Sequence, residues 1–286
     1  MTRLRLVLVL AMIVATIGVA PPARAGLLDS LLGGSSGEPT RASSEGATAG
    51  ACQPLTVPVI ELGLGSCSGV FPGARVQSGT GSCTLNFLFK GSDGGRYMGT
   101  AGHCAFSSLP ISQDIGERVF AAGEGPEALD ADGNRIGSFA YAVQQQPKDF
   151  GLIRLDDDVD VSPVVAQFGG PTGVNDEISS DVTRLSLFGN PLGLGGPLAI
   201  GRPLLAVDGL RDPNTVAATG LALPGDSGGP VLDEQGRAVG VLTAIGLGAV
   251  EASGPGPLLI TRLSPQLEQA ERAMGIDLTL QTAPRL

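Results

Sequence analysis

The sequence predicts an all-β fold, and three observations carry that prediction. Gly and Pro number 44 and 21 in 286 residues, more than a mostly helical chain tolerates, because an interior Gly costs about 1 kcal/mol and a Pro about 3 kcal/mol relative to Ala. Together they make roughly 23% of the chain, below the level of low-complexity disorder. Hydrophobic residues at 42% against 16% charged residues provide for a large core. After Cys52 the apolar residues come in short runs broken by Gly, Pro, Asn and Asp, the texture of a sandwich or barrel.

From the N-terminus, Met1-Thr-Arg-Leu-Arg5 precedes an apolar run from Leu6 to Ala20, then Pro21-Pro22 and Ala23-Arg24-Ala25. This is the basic, apolar and small-residue order of a signal peptide over residues 1–25, so a secreted protein is expected. The apolar run is shorter than the roughly 20 residues that span a bilayer, and no lipidation cysteine follows it. Residues 26–50 are mostly Ser, Gly, Thr and Ala, too poor in apolar groups to bury much surface, and read as a flexible tail or short pro-segment. Residues 51–286 form the folded domain.

Within that domain the expected strands are Thr84–Lys90, Arg96–Thr100, Arg118–Ala121, Arg135–Val143, Phe150–Leu155, Val182–Phe188, Leu198–Val207, Val231–Asp233, Ala238–Ala244 and Leu258–Arg262. Asp233-Glu-Gln-Gly236 reads as a hairpin turn. Asp130-Ala-Asp132-Gly-Asn134 reads the same way, because its Gly falls too early for a calcium loop. A helix is expected over residues 265–274, with Ser264 as N-cap, Pro265 first and Gly275 after the end. Leu267, Ala270 and Met274 would form its packed face.

Charge narrows the function. The formal net charge is −10, and loss of Arg3, Arg5 and Arg24 with the signal peptide leaves 15 bases against 28 acids. That balance disfavours a nucleic-acid partner, whose phosphates need clustered Lys and Arg, and it disfavours stable attachment to anionic membranes. The cysteines are Cys52, Cys67, Cys83 and Cys104, an even number that favours disulfides in an exported chain. Three pairings exist, and spacing favours Cys52 with Cys67 and Cys83 with Cys104.

His103 is the chain's one histidine, which excludes metal sites built on several imidazoles, and no cofactor or metal is expected. The most informative string is Gly225-Asp226-Ser227-Gly228-Gly229-Pro230, a hydroxyl in a glycine-rich turn ahead of an apolar strand. Converging amides of Gly225 and Ser227 would make an oxyanion hole. Ser227 needs a base, and His103 in Thr100-Ala-Gly-His-Cys104 is the one imidazole available. An imidazole base needs a carboxylate on its other nitrogen. Asp149 opens the apolar strand Asp149-Phe-Gly-Leu-Ile-Arg-Leu155, where a buried acid requires a partner. Asp114, Asp156, Asp157 and Asp158 read as solvated surface.

These three strings, in the order His, Asp, Ser, resemble the chymotrypsin-type (trypsin-like) serine proteases, and the segment Ser82 to Cys104 looks closest to the secreted bacterial alpha-lytic protease and streptogrisin group. The resemblance runs from about Val70 to the C-terminal helix. It implies two six-stranded antiparallel β-barrels, about residues 70–165 and 175–262, with the active site in the cleft between them. It implies a triad of His103, Asp149 and Ser227, with protein or peptide substrates and protein inhibitors as partners, and the expected form is a monomer. In such enzymes the residue six before the nucleophile floors the pocket for the side chain preceding the cleaved bond. Here that is Leu221, with Ala222, Thr243, Ala244 and Ile245 as walls, which implies a small or medium apolar preference. No Ile-Val-Gly-Gly start is visible to insert near Asp226 as in animal zymogens. A catalytically silent binding protein on this scaffold, or an esterase or acyltransferase, would use the same residues.

Overall fold

The computed structural model describes residues 53–55, 64–66, 69–79, 81–106, 114–165, 168–176, 184–191, 198–206, 213–245 and 257–285. The expected signal peptide, the tail, Cys52 and Cys67 lie outside the described residues.

The first half is a curled antiparallel sheet. Its strands are β3 (Arg75–Ser78), β4 (Gly81–Thr84), β5 (Leu88–Gly91), β6 (Arg96–Thr100), β7 (Gly116–Val119), β8 (Glu127–Leu129), β9 (Arg135–Gln145) and β10 (Lys148–Leu155). A final strand from the other end of the chain, β17 (Leu278–Leu280), borders β5. The order is β17-β5-β6-β10-β9-β8-β3-β4, with β7 also on β9. The run expected as one strand, Thr84–Lys90, bends at Leu85-Asn86-Phe87, and there the chain leaves the β3 ladder for the β6 ladder. That bend curls the sheet.

The second half is a closed barrel. An N-terminal hairpin, β1 (Gln53–Leu55) and β2 (Leu64–Ser66), lies on β12 (Leu198–Ala206), which pairs with β11 (Arg184–Gly189). The order continues through β14 (Pro230–Asp233), β15 (Ala238–Ile245), β16 (Leu258–Arg262) and β13 (Thr215–Gly220), and β13 returns to β12. Two closed six-stranded barrels were the expectation. Among the described residues the six-strand ring closes in the second half, while the first is a curled half-barrel in which a single register pair, Gln77↔Leu129, joins β3 to β8.

Strand alternation builds both cores. Leu185, Leu187, Leu204, Val216, Val231, Val239, Leu242 and Ile260 fill the second barrel. Phe87, Phe89, Tyr97, Met98, Phe139, Tyr141, Phe150 and Leu152 fill the first sheet. Nearly complete burial of residues this large supplies most of the stabilisation, about 1.5–3 kcal/mol for each large apolar side chain.

The helix α1 spans Leu263–Met274, its first residue following directly on β16, and ends at Gly275 in the left-handed conformation (φ 69°). Its N-cap is Arg262, so Ser264 stands inside the first turn, where its hydroxyl donates to Asp176 instead of capping. Pro265 is tolerated because the first-turn amides have no intrahelical acceptor. Leu267 and Ala270 are buried and Met274 packs beside them, the expected face. Beyond the helix the chain adds β17 to the first sheet and then bonds to the connecting segment, with Ala283 N donating to Pro171 O and Gly170 N to Pro284 O. Among the described residues no helix is long and apolar enough to cross a membrane.

Candidate active site

The β6–β10 register brings His103 and Asp149 together. Thr100 pairs with Gly151 in antiparallel strands, so the residues just past Thr100 run alongside those just before Gly151. After Thr100 the chain forms a 3₁₀ turn, Gly102–Ala105, that carries His103. Gly102 is required by space: a Cβ there would lie 1.9 Å from Val143 O, so only a bare backbone can pass this close to β9. The Cys83–Cys104 disulfide ties the turn to β4.

The contact between the two side chains is double. Asp149 Oδ1 accepts the His103 backbone amide at 2.8 Å, and Asp149 Oδ2 lies 2.6 Å from His103 Nδ1. A carboxylate only accepts, so the neutral ring keeps its proton on Nδ1 and leaves Nε2 as a free base. Burial pushes the His103 pKa down, but the Asp149 charge and hydrogen bond outweigh it, and the net direction is above the ordinary imidazole value. His103 lies near both cysteines, but their sulfurs are joined to each other, so the cluster offers no thiolate to a metal. Of the competing acids, Asp156 pairs with Arg135 at 2.8 Å, Asp114 accepts the Gln146 amide at 3.0 Å, and Asp157 and Asp158 are exposed.

Ser227 sits in a half-buried turn between β13 and β14, with Gly225 and Gly228 at φ 101° and 88°. The turn rests on the end of β4 and the bend after it: Thr84 N donates to Ser227 O at 2.8 Å, and Asn86 Nδ2 to Gly228 O at 3.1 Å. Gly228 reaches the strand end that leads into His103, since a Cβ there would lie 2.4 Å from Thr100 Oγ1 and 2.7 Å from Ala101 N. Among the described residues the amides of Gly225 and Ser227 have no hydrogen-bond acceptor.

Beneath the turn lies a residue that sequence reasoning missed. Arg202 on β12 forms a buried two-pronged ion pair with Asp226, at 2.6 and 2.5 Å, and Asp226 Oδ2 also accepts the Leu223 amide at 2.7 Å. The available signal was a lone arginine inside the apolar strand Leu198–Ala206.

The pocket residues are dispersed. Leu221 is 59% exposed, where a buried floor was the expectation, because the chain leaves the barrel wall after Gly220. Ala222 is buried within the barrel core. Thr243 turns its hydroxyl to Leu259 O and Thr261 Oγ1 in β16, at 3.3 and 3.2 Å. The backbones of Ala244 and Ile245 pair with Leu259 and Leu258, and their side chains lie outside the described residues.

A curled sheet carrying a His–Asp pair beside a barrel carrying Gly-Asp-Ser-Gly defines a chymotrypsin-like protein. Residues 81–241, more than half of the chain, match the trypsin-like peptidase domain, and the chain belongs to that family. Thermobifida fusca Protease A has a similar structure at 19% identity, TM-score 0.50, covering 75% of this chain and 100% of that one. Nocardiopsis protease aligns at 16% identity, TM-score 0.47, covering 74% and 100%. No curated protein matches the chain.

Proposed function

We propose that this chain is a secreted serine endopeptidase that cleaves through an acyl-enzyme on Ser227. The observation that carries the reading is the 2.6 Å contact of His103 Nδ1 with Asp149, which leaves Nε2 basic on a turn that neighbours the Ser227 loop. In the first step Ser227 Oγ attacks the peptide carbonyl as its proton passes to His103 Nε2, and Asp149 stabilises the imidazolium. The oxyanion takes the amides of Gly225 and Ser227. His103 returns the proton to the leaving amine, and water, deprotonated by the same nitrogen, releases the acid. The small or medium apolar preference is part of this reading and rests on Leu221, six residues before Ser227, as an apolar, solvent-exposed side chain.

The test is turnover of a peptide library by the purified mature protein, alongside labelling with a fluorophosphonate. Peptide cleavage lost by several orders of magnitude in Ser227→Ala and His103→Ala is the expected result. An unlabelled Ser227 would point to a silent binding protein, and hydrolysis of simple esters without peptides to an esterase.

A further inference from the structure

Thr84 belongs to the first half of the fold, outside the three sequence strings, and two of its four hydrogen bonds go to the Ser227 turn. It is fully buried. Its backbone amide donates to Ser227 O at 2.8 Å, and its hydroxyl donates to Gly225 O at 2.7 Å. The same hydroxyl accepts the Asn190 amide at 3.1 Å, and its carbonyl accepts Thr100 Oγ1 at 2.9 Å. An amide can only donate, so the Asn190 contact occupies a lone pair and the hydroxyl proton is directed onto Gly225 O. One residue therefore holds the carbonyls on both sides of Asp226, from the opposite half of the molecule to the turn itself.

We propose that Thr84 is a positioning residue for catalysis, its hydroxyl fixing the Gly225–Asp226 peptide so that the Gly225 and Ser227 amides stay aimed at the oxyanion. This rests on the serine-peptidase reading above. The peptide planes around Gly225 need such a tether, because a glycine at φ 101° has few steric limits of its own. Asp226 is clamped from below by Arg202 and Ser227 O is clamped by the Thr84 amide, which leaves the Gly225 carbonyl as the group that the side chain of Thr84 controls. The amide of the same peptide, Asp226 N, donates to Leu223 O at 3.1 Å, so loss of the Thr84 hydroxyl leaves the plane held on its amide side alone, and the oxyanion then loses donor alignment while ground-state substrate contacts persist.

Thr84→Val keeps the shape and removes the hydroxyl, Thr84→Ser keeps the hydroxyl, and Thr84→Ala removes it without bulk. Steady-state kinetics on a peptide substrate and binding of a peptide boronate, which mimics the tetrahedral adduct, are measured on all three. The expected result for Val and Ala is a kcat roughly ten- to a hundred-fold lower, less than the 10²–10³ of losing an oxyanion donor outright. KM stays unchanged, boronate affinity weakens in parallel, and the acid limb of the pH profile stays in place because the His103–Asp149 contact is untouched. Thr84→Ser recovers most of the rate. If Thr84→Val does not fold, Thr84→Ala and Thr84→Ser carry the comparison. Wild-type kcat and boronate affinity in a folded Val or Ala variant, with wild-type turnover intact, would overturn the role of Thr84 alone. Absence of peptide turnover and of Ser227 labelling in the wild type would overturn the peptidase reading and this proposal with it.

Discussion

Arg202 and Asp226 face each other inside the second barrel through two hydrogen bonds of 2.6 and 2.5 Å, both side chains closed to solvent. Asp226 immediately precedes Ser227, so whatever holds that carboxylate also holds the Ser227 turn. In animal zymogens of this kind a newly cut N-terminus inserts near the equivalent acid. Here both carboxylate oxygens are taken by Arg202 of the barrel wall.

Removing the arginine should therefore be severe. Arg202→Met leaves the Asp226 carboxylate buried without its counter-ion, a loss of about 3–5 kcal/mol. The melting temperature is expected to fall on the order of 10 °C. Labelling of Ser227 by a fluorophosphonate should slow even below the melt, because the turn loses its anchor. A thermal melt that matches the wild type would show that the pair does not hold the loop.

The pH dependence follows from His103. Its folded pKa lies above the ordinary imidazole value, since the Asp149 charge and hydrogen bond outweigh burial. A base must be neutral to act, so kcat/KM should rise with pH through that elevated value and be lost below it. The stability linkage has the opposite sense. A raised folded pKa contributes stability below the unfolded value and loses it as pH climbs through the folded one. Asp149→Asn removes the charge, so the activity limb should move to lower pH while the plateau rate drops about 10⁴-fold. A limb that stays put in Asp149→Asn would detach the two residues.

Much of this site was legible in the sequence because its parts are local strings. Thr100 to Cys104 and Gly225 to Pro230 each fix a backbone shape within a few residues, and the strands Arg96–Thr100 and Leu258–Arg262 have the expected bounds. What escaped reading depends on distant partners. Arg202 becomes meaningful only when β12 brings it under Asp226. Thr84 looks like an ordinary strand residue until the Ser227 turn lies on it. The strands β1, β2, β3, β8, β13 and β17 lie outside the expected set: short segments such as Leu278–Leu280 carry too few alternating residues, and in β13 the apolar Val216, Ala217 and Ala218 run together without alternation. Ser264 failed as an N-cap because Asp176 captures its hydroxyl.

The second disulfide is testable directly. Cys83 and Cys104 are bonded to each other, which leaves Cys52 with Cys67. In the N-terminal hairpin Gln53 pairs with Ser66, and in the sequence Cys52 directly precedes Gln53 and Cys67 directly follows Ser66. A non-reducing peptide map of the secreted protein should return a linked Cys52–Cys67 peptide, and free thiol at either position would contradict it. Opening the Cys83–Cys104 loop, whose ends are 21 residues apart, should cost about 3 kcal/mol on the chain-entropy estimate. Cys83→Ala with Cys104→Ala should thus lower the melting temperature by roughly 6–12 °C.

Leu221 offers the sharpest test of substrate preference. It is 59% exposed, so Leu221→Ala should change stability by no more than about 0.5 kcal/mol. Any effect on turnover is then a substrate effect. If its side chain meets the group preceding the cleaved bond, truncation removes apolar contact worth about 1–3 kcal/mol. The kcat/KM for a leucine or valine substrate should fall roughly tenfold or more, while an alanine substrate, which reaches less far, should change little. Leu221→Glu adds a charge that desolvation makes costly beside an apolar group, so the same substrates should suffer further and a basic residue should gain. Uniform behaviour of all substrates across the three proteins would place Leu221 outside the pocket, and the preference would then have to come from the β15 side of the cleft.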